Sequence, residues 1–154
     1  MVVGVIEVKL VSARGLNNTE FLGGIDPYVL IQYKGQERKS TVARGQGSSP
    51  VWNETFTFRA EYPGGNDEYK LILKIMDHDT FSADDYLGQS TIYVKELLET
   101  GVQDGKAEIH PQKYSIVSSD QSFNGEIKVG ISFIPKVESY DAGEDFGGWK
   151  ESEY

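Results

Sequence analysis

Asp77, Asp79, Asp84 and Asp85 put four carboxylates into nine residues, directly after the apolar alternation Leu71-Ile-Leu-Lys-Ile-Met76. Like charges crowded in this way repel one another and raise each other's pKa. A divalent cation relieves the repulsion, and hard oxygen donors at a strand end suit Ca2+, which accepts roughly six to eight oxygens in irregular geometry. The alternative is a solvated acidic turn, and a second pair of acids argues against it. Glu20 and Asp26 bracket a Gly-Gly turn, after which Pro27-Tyr28-Val29 opens a strand. That loop follows another alternating segment, Val5-Ile-Glu-Val-Lys-Leu-Val11. Two acidic loops at strand ends can converge on one rim of a β-sandwich. An EF-hand fails on spacing. A loop starting at Asp77 would put Phe81 at a ligand position, Ser82 at the required glycine and Gly88 at the bidentate glutamate.

The elements that must position these loops read as strands, near residues 4–13, 27–34, 37–44, 53–59, 70–77, 87–94, 112–117 and 124–134. Gly, Pro, Asn or Asp marks each break, a spacing that predicts an eight-stranded antiparallel β-sandwich. Gly35-Gln36 is read as a tight hairpin turn. One short helix is expected around Val94-Lys-Glu-Leu-Leu98, closed by Gly101. After Pro135 the apolar alternation stops. The expected organisation is therefore one domain over 1–136 and an acidic, flexible tail over 137–154.

Composition narrows the function. The 154 residues contain no cysteine, which excludes a disulfide framework, a thiolate metal site and a cysteine nucleophile. No apolar run reaches the length of a membrane-spanning helix, and the start does not read as a signal peptide. The net charge of −9 divides unevenly. Residues 137–154 hold six acids against Lys150, and the rest holds 18 acids against 14 bases. The overall acidity thus belongs to the loops and the tail, and an anionic membrane remains open as a partner. No enzyme is expected. His78 and His110 are the only histidines; His78 sits between two acids of the loop, His110 precedes Pro111 at a strand start and reads as structural, and no phosphate-binding glycine loop follows a strand.

Three segments taken together resemble a C2 domain: Asp26-Pro-Tyr-Val29, Pro50-Val-Trp-Asn-Glu-Thr-Phe-Thr-Phe58, and Asp77-His-Asp79 through Asp85-Tyr-Leu-Gly88. The resemblance covers roughly residues 4–136. The start Gly4-Val-Ile-Glu-Val, the run Asp77-His-Asp-Thr-Phe-Ser and the end Phe146-Gly-Gly-Trp-Lys150 are similar to small single-C2 plant proteins of the phloem and elicitor-responsive kind. The first acidic loop follows the first strand, and Gly125-Glu-Ile-Lys-Val-Gly-Ile-Ser-Phe133 closes the sheet. This order resembles the phospholipase-like circular permutation, called type II.

The resemblance implies Ca2+ as cofactor, held by Glu20, Asp26, Asp77, Asp79 and Asp85, with Asp84 and the main chain of His78 and Ile25 as further contributors. Glu20 departs from the Asp usual at its position. It also implies calcium-dependent docking on anionic phospholipid, with Phe21, Leu22 and Phe81 as apolar tips; packing of these residues against the core is the alternative. Lys34, Arg38, Lys39 and Arg44 lie where some C2 domains bind phosphoinositides, although strand alternation divides them between two faces. The implied setting is a cytoplasmic monomer, reversibly peripheral to the plasma membrane or carried in phloem sap, with a role in signalling, defence or transport. RNA binding of the phloem type and a calcium-independent protein adaptor using the Phe146–Trp149 tail are the competing functions.

Overall fold

The computed structural model describes residues 1–17, 24–64 and 69–136. Its elements are β1 (Val2–Arg14), β2 (Pro27–Tyr33), β3 (Gln36–Lys39), β4 (Val51–Tyr62), β5 (Lys70–Asp77), β6 (Asp85–Tyr93), α1 (Lys95–Asp104), β7 (Ala107–Val117) and β8 (Phe123–Pro135). Every pairing is antiparallel. The strand order is β3-β2-β5-β6-β7-β8-β1-β4, with β8 beside β1, the type II arrangement.

Between β6 and β7 the ladder narrows to one pair, Gln89 with Val117. The sheet folds there into two four-stranded layers. Alternate residues point inward, so Ile6, Val8 and Leu10 of β1 and Ile127, Val129, Ile131 and Phe133 of β8 are buried. From the other layer come Val29, Ile31 and Tyr33 of β2 and Leu71, Leu73 and Ile75 of β5. Opposite the fold line, β3 and β4 are both terminal in the strand order. The Gln36 side chain joins them, donating to the Arg59 carbonyl at 2.8 Å and accepting from the Arg59 N–H at 2.9 Å. An edge strand otherwise leaves such groups unpaired.

Three elements differ from the sequence expectation. The hairpin turn is Lys34-Gly35, at φ 48° and 82°, and Gln36 already belongs to β3. Two positive φ values match the twist of a two-residue hairpin, which explains the glycine. Strand β3 then ends at Lys39, so Arg44 lies in the following connection. Helix α1 runs on to Asp104 and is capped by left-handed Gly105. Gly101 is instead a packing glycine, because a Cβ there would stand 2.5 Å from a ring carbon of Phe133. Strand β7 starts at Ala107 rather than 112; a register shift between Ile109 and Gln112 takes Pro111 out of the regular ladder.

Candidate functional site

β2 begins where β5 ends, and β5 pairs with the start of β6. Pro27 lies opposite Asp77, and Asp77 lies opposite Asp85. The register thus assembles Asp26, Asp77 and Asp85 at three neighbouring strand ends. Asp77 is only 5 % exposed, and one of its oxygens accepts the Asp26 N–H at 2.9 Å. The His78 N–H donates to the Asp26 carbonyl at 2.9 Å, which fastens the strand ends together. A carboxylate of Asp26 also accepts the Gly45 N–H at 3.3 Å.

Beyond the strand ends, the acids of the second loop turn into the loop's own main chain. One oxygen of Asp79 accepts the N–H groups of Phe81 at 2.9 Å and Ser82 at 3.2 Å. These donors, Phe81 first, hold the Asp79 carboxyl below the usual carboxylate range. Asp84 accepts the Tyr28 hydroxyl and, at 3.0 Å, the Asp79 N–H. Those bonds lower its pKa, the Tyr28 hydroxyl contributing most. The Tyr28 phenol is pushed up to about 12, by burial first and then by its bond to Asp84. His78 Nδ1 lies 3.6 Å from Asp84, and Lys39 Nζ stands 4.7 Å from the centre of the Tyr28 ring. Asp84 therefore braces the loop base through its bonds to Tyr28 and Asp79.

The donor chemistry fits a hard cation, since every candidate side chain offers carboxylate oxygen. Among the described residues, however, no three His, Asp or Glu side chains stand close enough to hold an ion as they lie. Glu20, Phe21 and Leu22 lie outside the described residues. Ile25 is buried beside the site. Asp79 spends one oxygen on its own turn, and neither of these two amides reaches its second oxygen.

The rim carries aromatic side chains that sequence reasoning missed. Phe81 is 94 % exposed at the loop tip, as the sequence suggested, but Phe123 at 77 % and Tyr86 at 41 % accompany it. The reason lies in the register. One extra residue in β6 between Tyr86 and Gly88, and another in β8 between Phe123 and Glu126, interrupt the ladders as they approach the rim. A bulge reverses the side-chain phase beyond it, which turns Phe123 outward although Ile127, Val129 and Ile131 point in. Positive φ at Gly88 and Gly125 was the available signal, hidden in sequence as two ordinary glycines.

Asn124 anchors this second tip. Its side-chain amide donates to the carbonyls of Asn17 and Leu87, both at 2.9 Å, and its oxygen accepts the Asn17 N–H at 2.9 Å. The exit of β1, the start of β6 and the β7–β8 connection thereby become one platform. A cleft of about 560 Å³ lies between Asp85 and the Ser118–Phe123 turn.

The basic residues do not share one surface. Arg38 stacks over Phe58 at 5.0 Å, while Lys39 on the opposite face of β3 covers Tyr28 beside the acidic rim. Lys34 sits in the β2–β3 turn, and Arg44 lies in the connection next to Gly45.

Comparison with known proteins places this geometry. The family model described as C2 domain matches residues 4–109. The chain is 55 % identical to 16 kDa phloem protein 1 of Arabidopsis thaliana, covering 99 % of each chain. It is 42 % identical to elicitor-responsive protein 3 of Oryza sativa subsp. japonica, again over 99 % of each. A solved C2 domain-containing protein superposes with a TM-score of 0.68 at 39 % identity, covering 89 % of this chain and 93 % of the other.

Proposed function

Because the chain belongs to the C2 domain family, we propose that it is a calcium-gated module that docks reversibly on anionic phospholipid. The observation that carries this reading is Phe81, 94 % exposed at the tip of a loop whose base is ringed by Asp77, Asp79 and Asp85. An aromatic ring held in water above a cluster of negative charge has no partner among the described residues, and the charge keeps it from an anionic bilayer. Calcium supplies neutralisation of that charge and open coordination positions for phosphate or carboxylate oxygens. Asp26, Asp77, Asp79, Asp85 and Glu20 are the residues that would hold it.

The protein's own part is to present the apolar tips. Phe81 and Phe123 flank the site from the β5–β6 and β7–β8 connections, with Tyr86 between them in sequence. Burying the two phenylalanine rings contributes on the order of 5 kcal/mol at most. That magnitude suits reversible docking rather than permanent anchoring. The setting proposed is the cytoplasmic face of the plasma membrane or the phloem, the latter from the name of a relative.

Sedimentation with phosphatidylserine vesicles tests the reading. Capture is expected with calcium and release with chelator, and Phe81→Ala should weaken capture while leaving calcium binding in solution unchanged. Tight calcium binding without vesicle capture at low salt would overturn it. Retention on RNA without calcium would favour the phloem-type RNA function instead.

A further inference from the structure

A second charged surface lies at the opposite end of the sandwich. Where β1 begins and β8 ends, a cleft of about 290 Å³ runs between the β3 and β4 edges. Val3 and Val5 contribute apolar wall, and Arg38, Arg59 and Lys136 contribute cationic rim. A neighbouring hollow shares Arg59 and adds Lys34, with Glu61 as the acid among its lining. Glu61 pairs with Arg59 at 2.5 Å, an exposed contact of small energetic weight. The Arg38 guanidinium lies over the buried Phe58 ring, which holds it at the cleft beside Val3 and Val5.

The chain itself continues from this cleft. The Lys136 N–H donates to the Val3 carbonyl at 2.7 Å, which carries the β8–β1 pairing one residue past Pro135 and delivers the chain to the cleft mouth. The next 18 residues, 137–154, hold Glu138, Asp141, Glu144, Asp145, Glu151 and Glu153 against Lys150, with Tyr140, Phe146 and Trp149 interspersed. Acids interleaved with aromatics complement cations around an apolar floor.

We propose that the acidic C-terminal segment of this chain docks in the Arg38–Arg59–Lys136 cleft and covers it against other anions. Tethering supplies much of the affinity, because a short linker gives an effective concentration near the millimolar range. Carboxylates reach the Arg38 and Arg59 guanidiniums, and the aromatic rings meet Val3 and Val5. The contact is electrostatic, so it loosens as salt shortens the Debye length. It involves none of the acidic-rim carboxylates and is independent of calcium.

The absence of native cysteine makes the test unambiguous. Ser152→Cys in the full chain carries a nitroxide, and amide signals are read by NMR in paramagnetic and reduced states. Sixteen residues of free coil beyond Lys136 would place the label about 22 Å away on average, giving broadening spread around Lys136 that neither salt nor charge variants change. Docking should instead remove most of the intensity of Gln36, Thr57 and Arg59. High salt, the pair Arg38→Glu with Arg59→Glu, and the pair Glu144→Gln with Asp145→Asn should each restore it. Diffuse broadening, broadening at the acidic rim, or broadening indifferent to salt and to both pairs would overturn the proposal. So would broadening of an unlabelled, isotope-enriched chain by a labelled second copy.

Discussion

At one end of the sandwich Asp26, Asp77, Asp79 and Asp85 crowd where β2, β5 and β6 turn; at the other, Arg38, Arg59 and Lys136 surround a cleft walled by Val3 and Val5, with Lys34 in the neighbouring hollow. The acidic end is assembled by main-chain register and then saturated with amide and hydroxyl donors, as at Asp79 and Asp84. The basic end is assembled by side chains, with Gln36 bridging two strand edges and Arg38 stacked on an aromatic ring. The difference teaches how each charge is tolerated. Carboxylates accept hydrogen bonds from the abundant N–H groups of a tight loop, so an acidic rim can stay folded without its cation. At the basic end Arg38 donates to the Glu37 carbonyl at 3.0 Å and lies over the Phe58 ring, while Arg59 pairs with Glu61.

The strongest break in this comparison is Asp77→Asn. The amide keeps the oxygen that accepts the Asp26 N–H but removes the buried charge at the centre of the rim. The calcium-induced stabilisation, about 2.7 kcal/mol at 100 times the dissociation constant, should vanish, with the apo protein unchanged or slightly more stable. Thermal melts with calcium and with chelator read this directly. A variant that still shifts with calcium would remove Asp77 from the ligand set.

Gly125→Ala attacks the scaffold of the same end. Gly125 sits at φ 86°, and an added Cβ would lie 2.3 Å from the Arg14 carbonyl oxygen. A loss of about 2–3 kcal/mol is expected, together with weaker vesicle capture because Phe123 loses its aim. Urea unfolding gives the stability. An unperturbed midpoint would mean the β1–β8 junction is far looser than its register implies.

At the basic end, Gln36→Leu removes both bonds that tie β3 to β4, and about 1 kcal/mol should be lost. Calcium binding should be untouched, since no rim residue contacts Gln36. Hydrogen exchange at the Arg59 amide should quicken, and unchanged protection would show that the β4 edge is held by something else.

The smallest effect concerns the second tip. The Ser118 and Ser122 hydroxyls, together with the Ser122 N–H, hold the Asp120 carboxyl down at about 2. A depressed carboxylate stabilises its turn above the unfolded value near 4, and that contribution fades as pH falls toward 2. Above pH 5 the Ser118–Ser122 turn should therefore be insensitive to pH. An Asp120 titration midpoint near the ordinary value, followed by carbon NMR, would contradict the hydrogen bonding.

The sequence by itself determined the strand alternation, the two acidic loops and the presence of a β2–β3 hairpin, because each rests on local period and turn chemistry; the order of strands came from the C2 resemblance. The tertiary structure alone decided what depends on distant neighbours. Two bulges near Gly88 and Gly125 turned Tyr86 and Phe123 outward against the local alternation. Asp84 read like its neighbouring acids, yet Tyr28, some fifty residues earlier, drew it into the loop base. Gly101 looked like a helix stop and instead makes room for Phe133, far along in β8. Strand alternation already set Arg38 and Lys39 on opposite faces, but only the tertiary structure supplied the ring that each covers, Phe58 and Tyr28. Local pattern carries the type of an element; its side-chain phase at an irregular end, and the partner each polar group finds, are fixed only by the strand that folds back against it.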